Sequence, residues 1–99
     1  MVFMADIGLK DGNKPFVIVS NNGRNKNLGD YLGARITTSQ KPELVSIVPL
    51  SANDPLVGWV LCDDITLLYP EDLKQSLGGL SLASMMLVGK GLAAALAIN

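Results

Sequence analysis

The sequence predicts a mostly-β, α+β fold: a small barrel or curled sheet followed by a C-terminal helix. Three observations carry this reading. Short apolar and β-branched runs recur as far as Tyr69, Gly, Pro, Asn and Asp punctuate them, and an apolar stretch of helix formers follows Ser81. The chain has 99 residues, enough for a single domain over residues 1–99 and too few for two. A core this thin makes oligomerisation a natural remedy.

Taken in order, Asp6-Ile7-Gly8-Leu9 reads as a weak first strand. Asp11-Gly12-Asn13 is turn chemistry, with Pro15 behind it. Phe16-Val17-Ile18-Val19 reads as a strand buried on both faces. Ser20-Asn21-Asn22-Gly23 breaks it, and residues 24–33, polar and punctuated by glycine, read as an irregular loop. Ala34-Arg35-Ile36-Thr37-Thr38 forms a third strand and Leu44-Val45-Ser46-Ile47-Val48 a fourth. After the turn Asn53-Asp54-Pro55 come Gly58-Trp59-Val60-Leu61-Cys62 and Ile65-Thr66-Leu67-Leu68-Tyr69. Pro70 suits the first turn of a short helix over residues 71–75, with Glu71 and Asp72 at its positive end. Leu77 lies in a short strand-like piece. Ser81 is a good N-cap for a final helix over residues 81–97.

Composition narrows the function classes. Hydrophobic residues make up 48% and charged ones 17%, a globular balance. There is no histidine, which removes the commonest general base and metal ligand, so chemistry falls to Lys, Arg, Asp, Glu, Tyr and hydroxyls, with neither metal nor cofactor expected. The single cysteine, Cys62, sits in an apolar run and reads as a buried core thiol; it fits a reducing, cytoplasmic setting. The N-terminal residues lack the pattern of a signal peptide. Residues 80–98 are almost long enough to cross a bilayer, but Ser81, Ser84, Gly89, Lys90 and Gly91 interrupt them. A helix buried against a sheet or a partner subunit is expected instead of a membrane anchor.

Net charge is −1, yet its distribution is uneven. Residues 10–41 hold Lys10, Lys14, Arg24, Lys26, Arg35 and Lys41 against Asp11 and Asp30, a local surplus of +4; the remainder stands at −5. A basic half on a neutral chain can build a phosphate-binding face, although a solvated surface is the simpler account from composition alone.

Several elements bear a resemblance. Gly12-Asn13-Lys14-Pro15-Phe16-Val17-Ile18-Val19-Ser20-Asn21-Asn22 is similar to the stretch of the MazF/PemK toxin family in which a basic residue and a proline precede a hydrophobic strand ending in Ser-Asn. Ile36-Thr37-Thr38-Ser39 resembles its apolar-Thr-Thr element. Leu61-Cys62-Asp63-Asp64-Ile65 resembles a later strand, and Leu80-Ser81 opens the last helix as in the family. Their order and spacing match over nearly the whole chain. The resemblance implies an SH3-like barrel of the CcdB/MazF type, a homodimer, and sequence-specific, metal-independent cleavage of single-stranded RNA, whether messenger, transfer or ribosomal. It also implies inhibition by a cognate antitoxin. Two departures stand out: many members carry Arg before the proline where this chain has Lys14, and the segment Lys10-Asp11-Gly12-Asn13 is too short for the usual Gly-Ser-Glu loop.

RNA supplies its own nucleophile, the 2′-OH. The enzyme must remove that proton, neutralise the phosphorane and protonate the leaving 5′-oxygen. Lys14 is expected to stabilise the non-bridging oxygens as an ammonium, with a general-base role as the alternative if its pKa falls. Thr37, carried over from the first Thr of the family's pair, is expected to donate to the scissile phosphate, with Thr38 and Ser39 beside it. Arg24, Lys26, Arg35 and Lys41 would hold flanking phosphates. Either Arg24 or Arg35 could add the transition-state contact that a lysine makes imperfectly. Asn25 either shapes its loop or reads base edges, as does Asn21. Asp63 and Asp64, adjacent in a strand, should point to opposite faces; Asp64 could accept from a base amine. Trp59 and Tyr31 are candidate stacking platforms, with core packing the simpler account of Trp59.

Two other functions remain open from sequence: a CcdB-like toxin that poisons DNA gyrase by binding, and a non-enzymatic barrel that binds RNA or protein.

Overall fold

The structure is a computed structural model that describes residues 1–8 and 12–98. Among them, β1 (Val2–Ala5), β2 (Lys14–Ile18), β3 (Tyr31–Thr37), β4 (Ile47–Pro49), β5 (Trp59–Leu68) and β6 (Leu73–Gly78) form one six-stranded sheet. The order is β4-β5-β3-β2-β1-β6, and each neighbouring pair is antiparallel. Two helices, α1 (Asn22–Leu28) and α2 (Leu82–Ala95), complete it. The mostly-β fold with a C-terminal helix is the one expected.

Several boundaries differ from expectation for physical reasons. The first strand lies upstream of Asp6, where Val2 and Ala5 are fully buried. Asp6 itself turns the chain, its Oδ1 accepting from the Gly8 amide at 2.9 Å. Leu9 and Asp11 lie outside the described residues. The stretch expected as a loop over residues 24–33 holds most of α1, which begins at Asn22. Asn21 caps it by accepting from the Arg24 amide at 2.8 Å, and Gly29 ends it in the left-handed region at φ 72. Seven residues are enough for a helix here because both caps are present and Asn25 is hydrogen-bonded to Ser20 just beyond β2. β3 then begins at Tyr31.

The two strands expected around Asp63-Asp64 are one, β5. Ala34 pairs with Ile65 while Arg35 pairs with Leu61, so Cys62, Asp63 and Asp64 have no partner on β3. An odd number of extra residues reverses the alternation of side chains. Val60 and Cys62 therefore face α2, and Leu68 faces away from it with Phe16. Asp63 and Asp64 are both exposed at this bulge. β4 is shorter than expected. The short helix expected over residues 71–75 is a 3-10 turn, Pro70–Asp72, leading into β6.

Ser81 is the N-cap of α2, accepting from the Ser84 amide at 3.2 Å. The helix lays Ser84, Val88 and Gly91 on the sheet, where Val88 meets Val17, Ile36, Val60 and Cys62. Cys62 is a core thiol: burial, with the Asp63 charge as a smaller cause, pushes its pKa up to about 11. A Cβ on Gly91 would come within 2.6 Å of Cys62 Sγ and 2.9 Å of Val45 O, so this glycine admits the chain's own sheet and not another backbone. A smaller cluster of Ala5, Phe16 and Leu68 covers the other face. Among the described residues no helix is long and apolar enough to cross a membrane.

Candidate active site

The face of the sheet away from α2 carries the polar residues of interest. β2 and β3 pair with Phe16 opposite Arg35 and Val17 opposite Ala34. Lys14 and Thr37 each lie two residues beyond the last of these pairs, Phe16 and Arg35, at the same end of the two strands. Paired residues share a face, so Lys14, Phe16, Arg35 and Thr37 project on one side. β5 adds Trp59 opposite Thr37 and Leu61 opposite Arg35. Between the strand ends lies a groove of about 420 Å³ lined by Lys14, Arg35, Thr37, Thr38 and Ser39, with Asn13 at its rim.

Local packing fixes the position of Thr37. Gly58, at φ 146, runs so close beneath β3 that a Cβ there would sit 2.5 Å from the Thr37 carbonyl oxygen. The Ser39 amide donates to Thr37 Oγ1 at 3.2 Å. That bond occupies an acceptor site of the hydroxyl and leaves its proton available to a ligand in the groove. Lys14 is half-buried at the start of β2. Arg35 is half-buried too, its Cζ 6.0 Å from the centroid of the Phe16 ring.

The structure does not bring the other expected residues into this groove. Arg24 is committed to its own loop: Nη1 lies 2.7 Å from Asp30 Oδ1 and donates to the Asp30 carbonyl at 2.9 Å. Asn25 is buried, accepting from Ser20 Oγ and donating to the Ser20 carbonyl. Of its two sequence readings, loop-shaping describes these contacts. Lys26 is exposed on α1, Lys41 is exposed beyond Ser39, and Asp64 is exposed at the β5 bulge; none lines the groove. Asn13 does line it although its sequence reading was only that of a turn residue; adjacency to Lys14 was the available signal.

Comparison with known proteins shows the family of the chain. The family described as PemK-like, MazF-like toxin of type II toxin-antitoxin system matches residues 2–96. The chain belongs to that family. It is 36% identical over 97 residues to endoribonuclease MazF1 of Mycobacterium bovis, covering 98% of this chain and 90% of the relative. The same figures hold for endoribonuclease MazF4 of Mycobacterium tuberculosis. Among solved structures, an endoribonuclease in complex with its cognate antitoxin from a mycobacterial species superposes with a TM-score of 0.92 at 36% identity, covering 99% of this chain and 92% of that one. The PemK/MazF match thus includes all of β2 and β3, the strands that carry Lys14, Arg35 and Thr37.

Proposed function

We propose that this chain is an endoribonuclease toxin that cuts single-stranded RNA at particular sequences, without a metal, through attack of the 2′-OH. The observation that carries this reading is the convergence of Lys14 and Thr37 on one groove in a PemK/MazF chain. In the reaction the 2′-oxygen loses its proton to a base and bonds to phosphorus. The bond from phosphorus to the 5′-oxygen of the next nucleotide breaks, and that oxygen takes up a proton. The Lys14 ammonium stabilises charge on the non-bridging oxygens, and the Thr37 hydroxyl donates to one of them. Thr38 and Ser39 line the path of the strand. Lys26, Lys41 and Asp64, exposed outside the groove, would act on flanking nucleotides, whereas Arg24 and Asn25, the other two candidates, shape the segment before β3.

Nearly full-length likeness to proteins named endoribonucleases favours RNA cleavage over gyrase binding or simple binding. The likeness to an endoribonuclease solved with its cognate antitoxin supports a cognate antitoxin as the natural inhibitor; the single unpaired thiol, Cys62, fits a cytoplasmic setting. A homodimer is supported by the outer side of α2. Leu82, Met86 and Leu96 are 79%, 60% and 55% exposed, and with Gly89 and Ala93 they recur at alternating spacings of four and three. This is the pattern of a helix–helix seam.

The test is incubation of the purified protein with a long single-stranded RNA transcript in EDTA, with the ends mapped. Discrete cuts leaving 2′,3′-cyclic phosphates are expected. Intact RNA overturns the proposal.

A further inference from the structure

We infer that Arg35 is a catalytic residue, the guanidinium that grips the scissile phosphate, and that it supplies the two-pronged contact Lys14 cannot make. The inference rests on the ribonuclease reading above and deepens it.

Its basis is an unsatisfied cation. Arg35 is half-buried, its Nε is fully buried without a partner, and no hydrogen bond or ion pair engages its guanidinium among the described residues. A buried donor without an acceptor destabilises the fold, and more so when the group is charged. Such a group calls for an anion. The other arginine, Arg24, is spoken for by Asp30. Arg35 thus differs from Arg24 in burial without a counter-charge and in lining the groove.

The surroundings orient it. Phe16, fully buried, lies under the guanidinium and fixes its plane. With Nε sunk toward the protein, the Nη edge is left to the groove. On β3, Arg35 and Thr37 are two residues apart on one face, about 7 Å along the strand. Lys14 lines the same groove from β2. A phosphate above this triangle would receive two parallel N–H donors from Arg35, one O–H from Thr37 and one ammonium from Lys14. A planar fork matches two phosphate oxygens, whereas an ammonium acts as a point charge. As the 2′-oxygen bonds to phosphorus and the 5′-oxygen departs with a proton, negative charge accumulates on the two non-bridging oxygens, where the fork is placed.

The test compares Arg35→Met and Arg35→Lys with the parent. Methionine keeps an unbranched side chain over Phe16, and a thermal melt identifies any loss of folding. Single-turnover cleavage of one transcript in EDTA should fall about 10²–10³-fold in Arg35→Met and nearly as far in Arg35→Lys. Affinity for a 2′-O-methyl copy of the cleaved sequence should fall less than about tenfold. Introducing Lys14→Arg into Arg35→Lys should recover at least about tenfold of the lost rate, because it returns a fork to the same phosphate; a merely structural arginine would not be replaced from another strand. If folded Arg35→Met cuts at the parental rate, loses affinity and rate equally, or if the exchanged pair recovers nothing, the inference fails. If the parent itself leaves RNA intact, it is the ribonuclease reading that fails.

Discussion

Thr37 on β3 stands directly opposite Trp59 on β5, on the face of the sheet away from α2. Trp59 is half-buried and belongs to neither apolar cluster. Its expected place in the core is therefore taken by its neighbours Val60 and Cys62, which the alternation turns toward α2.

From this position Trp59 is expected to stack on a base of RNA bound at the groove of Lys14 and Thr37. Trp59→Ala should weaken binding of an uncleavable 2′-O-methyl RNA by about 1–3 kcal/mol, and Trp59→Phe by much less. Trp59 is the only tryptophan of the chain, so its fluorescence should be quenched as that RNA is titrated in. An unchanged emission spectrum at saturation would refute the stacking role.

Lys14 should act through charge. Lys14→Ala is expected to lower single-turnover cleavage about 10²–10³-fold, with a small change in affinity for the 2′-O-methyl RNA. Lys14→Arg separates the two roles open to a lysine. Arginine stays protonated at any working pH, so activity should largely survive if the ammonium stabilises charge and vanish if the lysine is a base. Parental rates in Lys14→Ala would remove it from the site.

The strands that build this groove were legible in the sequence because β-branched runs and turn residues agree there. Phe16-Val17-Ile18 and Ile36-Thr37 sit in strands as read, and Ser81 caps α2. α1 was hidden because its signals are caps and not periodicity: Asn21 and Gly29 look like loop residues unless they are read as the two ends of one short helix. The β5 bulge was hidden because it depends on which residues of β5 go without a partner on β3, a tertiary fact. For the same reason, charge alone placed Arg24 and Arg35 in one class. Only the fold shows one tied to Asp30 and the other turned to the groove.

The outer side of α2 predicts the oligomeric state. The apolar residues of α2 divide in the structure: Val88 is buried and Met85 and Leu92 pack on the core, whereas Leu82 and Met86 stand out. Replacing both exposed residues with lysine should leave the melting temperature of the dilute protein nearly unchanged while halving its mass by light scattering. A monomeric parent at micromolar concentration would contradict the homodimer.

Asp54 predicts an acid-sensitive joint between the β4–β5 loop and α2. Its Oδ1 accepts from the Ser81 amide at 2.7 Å; its Oδ2 accepts from Ser84 Oγ at 2.6 Å and from the Ser51 amide at 2.7 Å. Burial alone would raise the pKa of this carboxyl, but the hydrogen bonds from Ser84, Ser51 and Ser81 outweigh it and hold the group well below the usual carboxylate range. The charge also lies at the positive end of the α2 dipole. A carboxyl depressed in the folded state binds fewer protons there than in the unfolded chain, so its contribution is complete above the unfolded value of about 4 and is lost as pH falls toward the folded value. Asp54→Ala should therefore cost about 2 kcal/mol at pH 7, on the scale of hydrogen bonds to a charged group. Urea melts of the parent and of Asp54→Asn between pH 7 and pH 2 provide the check: the stability difference between them should be constant down to about pH 4 and shrink below it. A difference that persists unchanged to pH 2 would mean that the Asp54 charge contributes nothing to the joint.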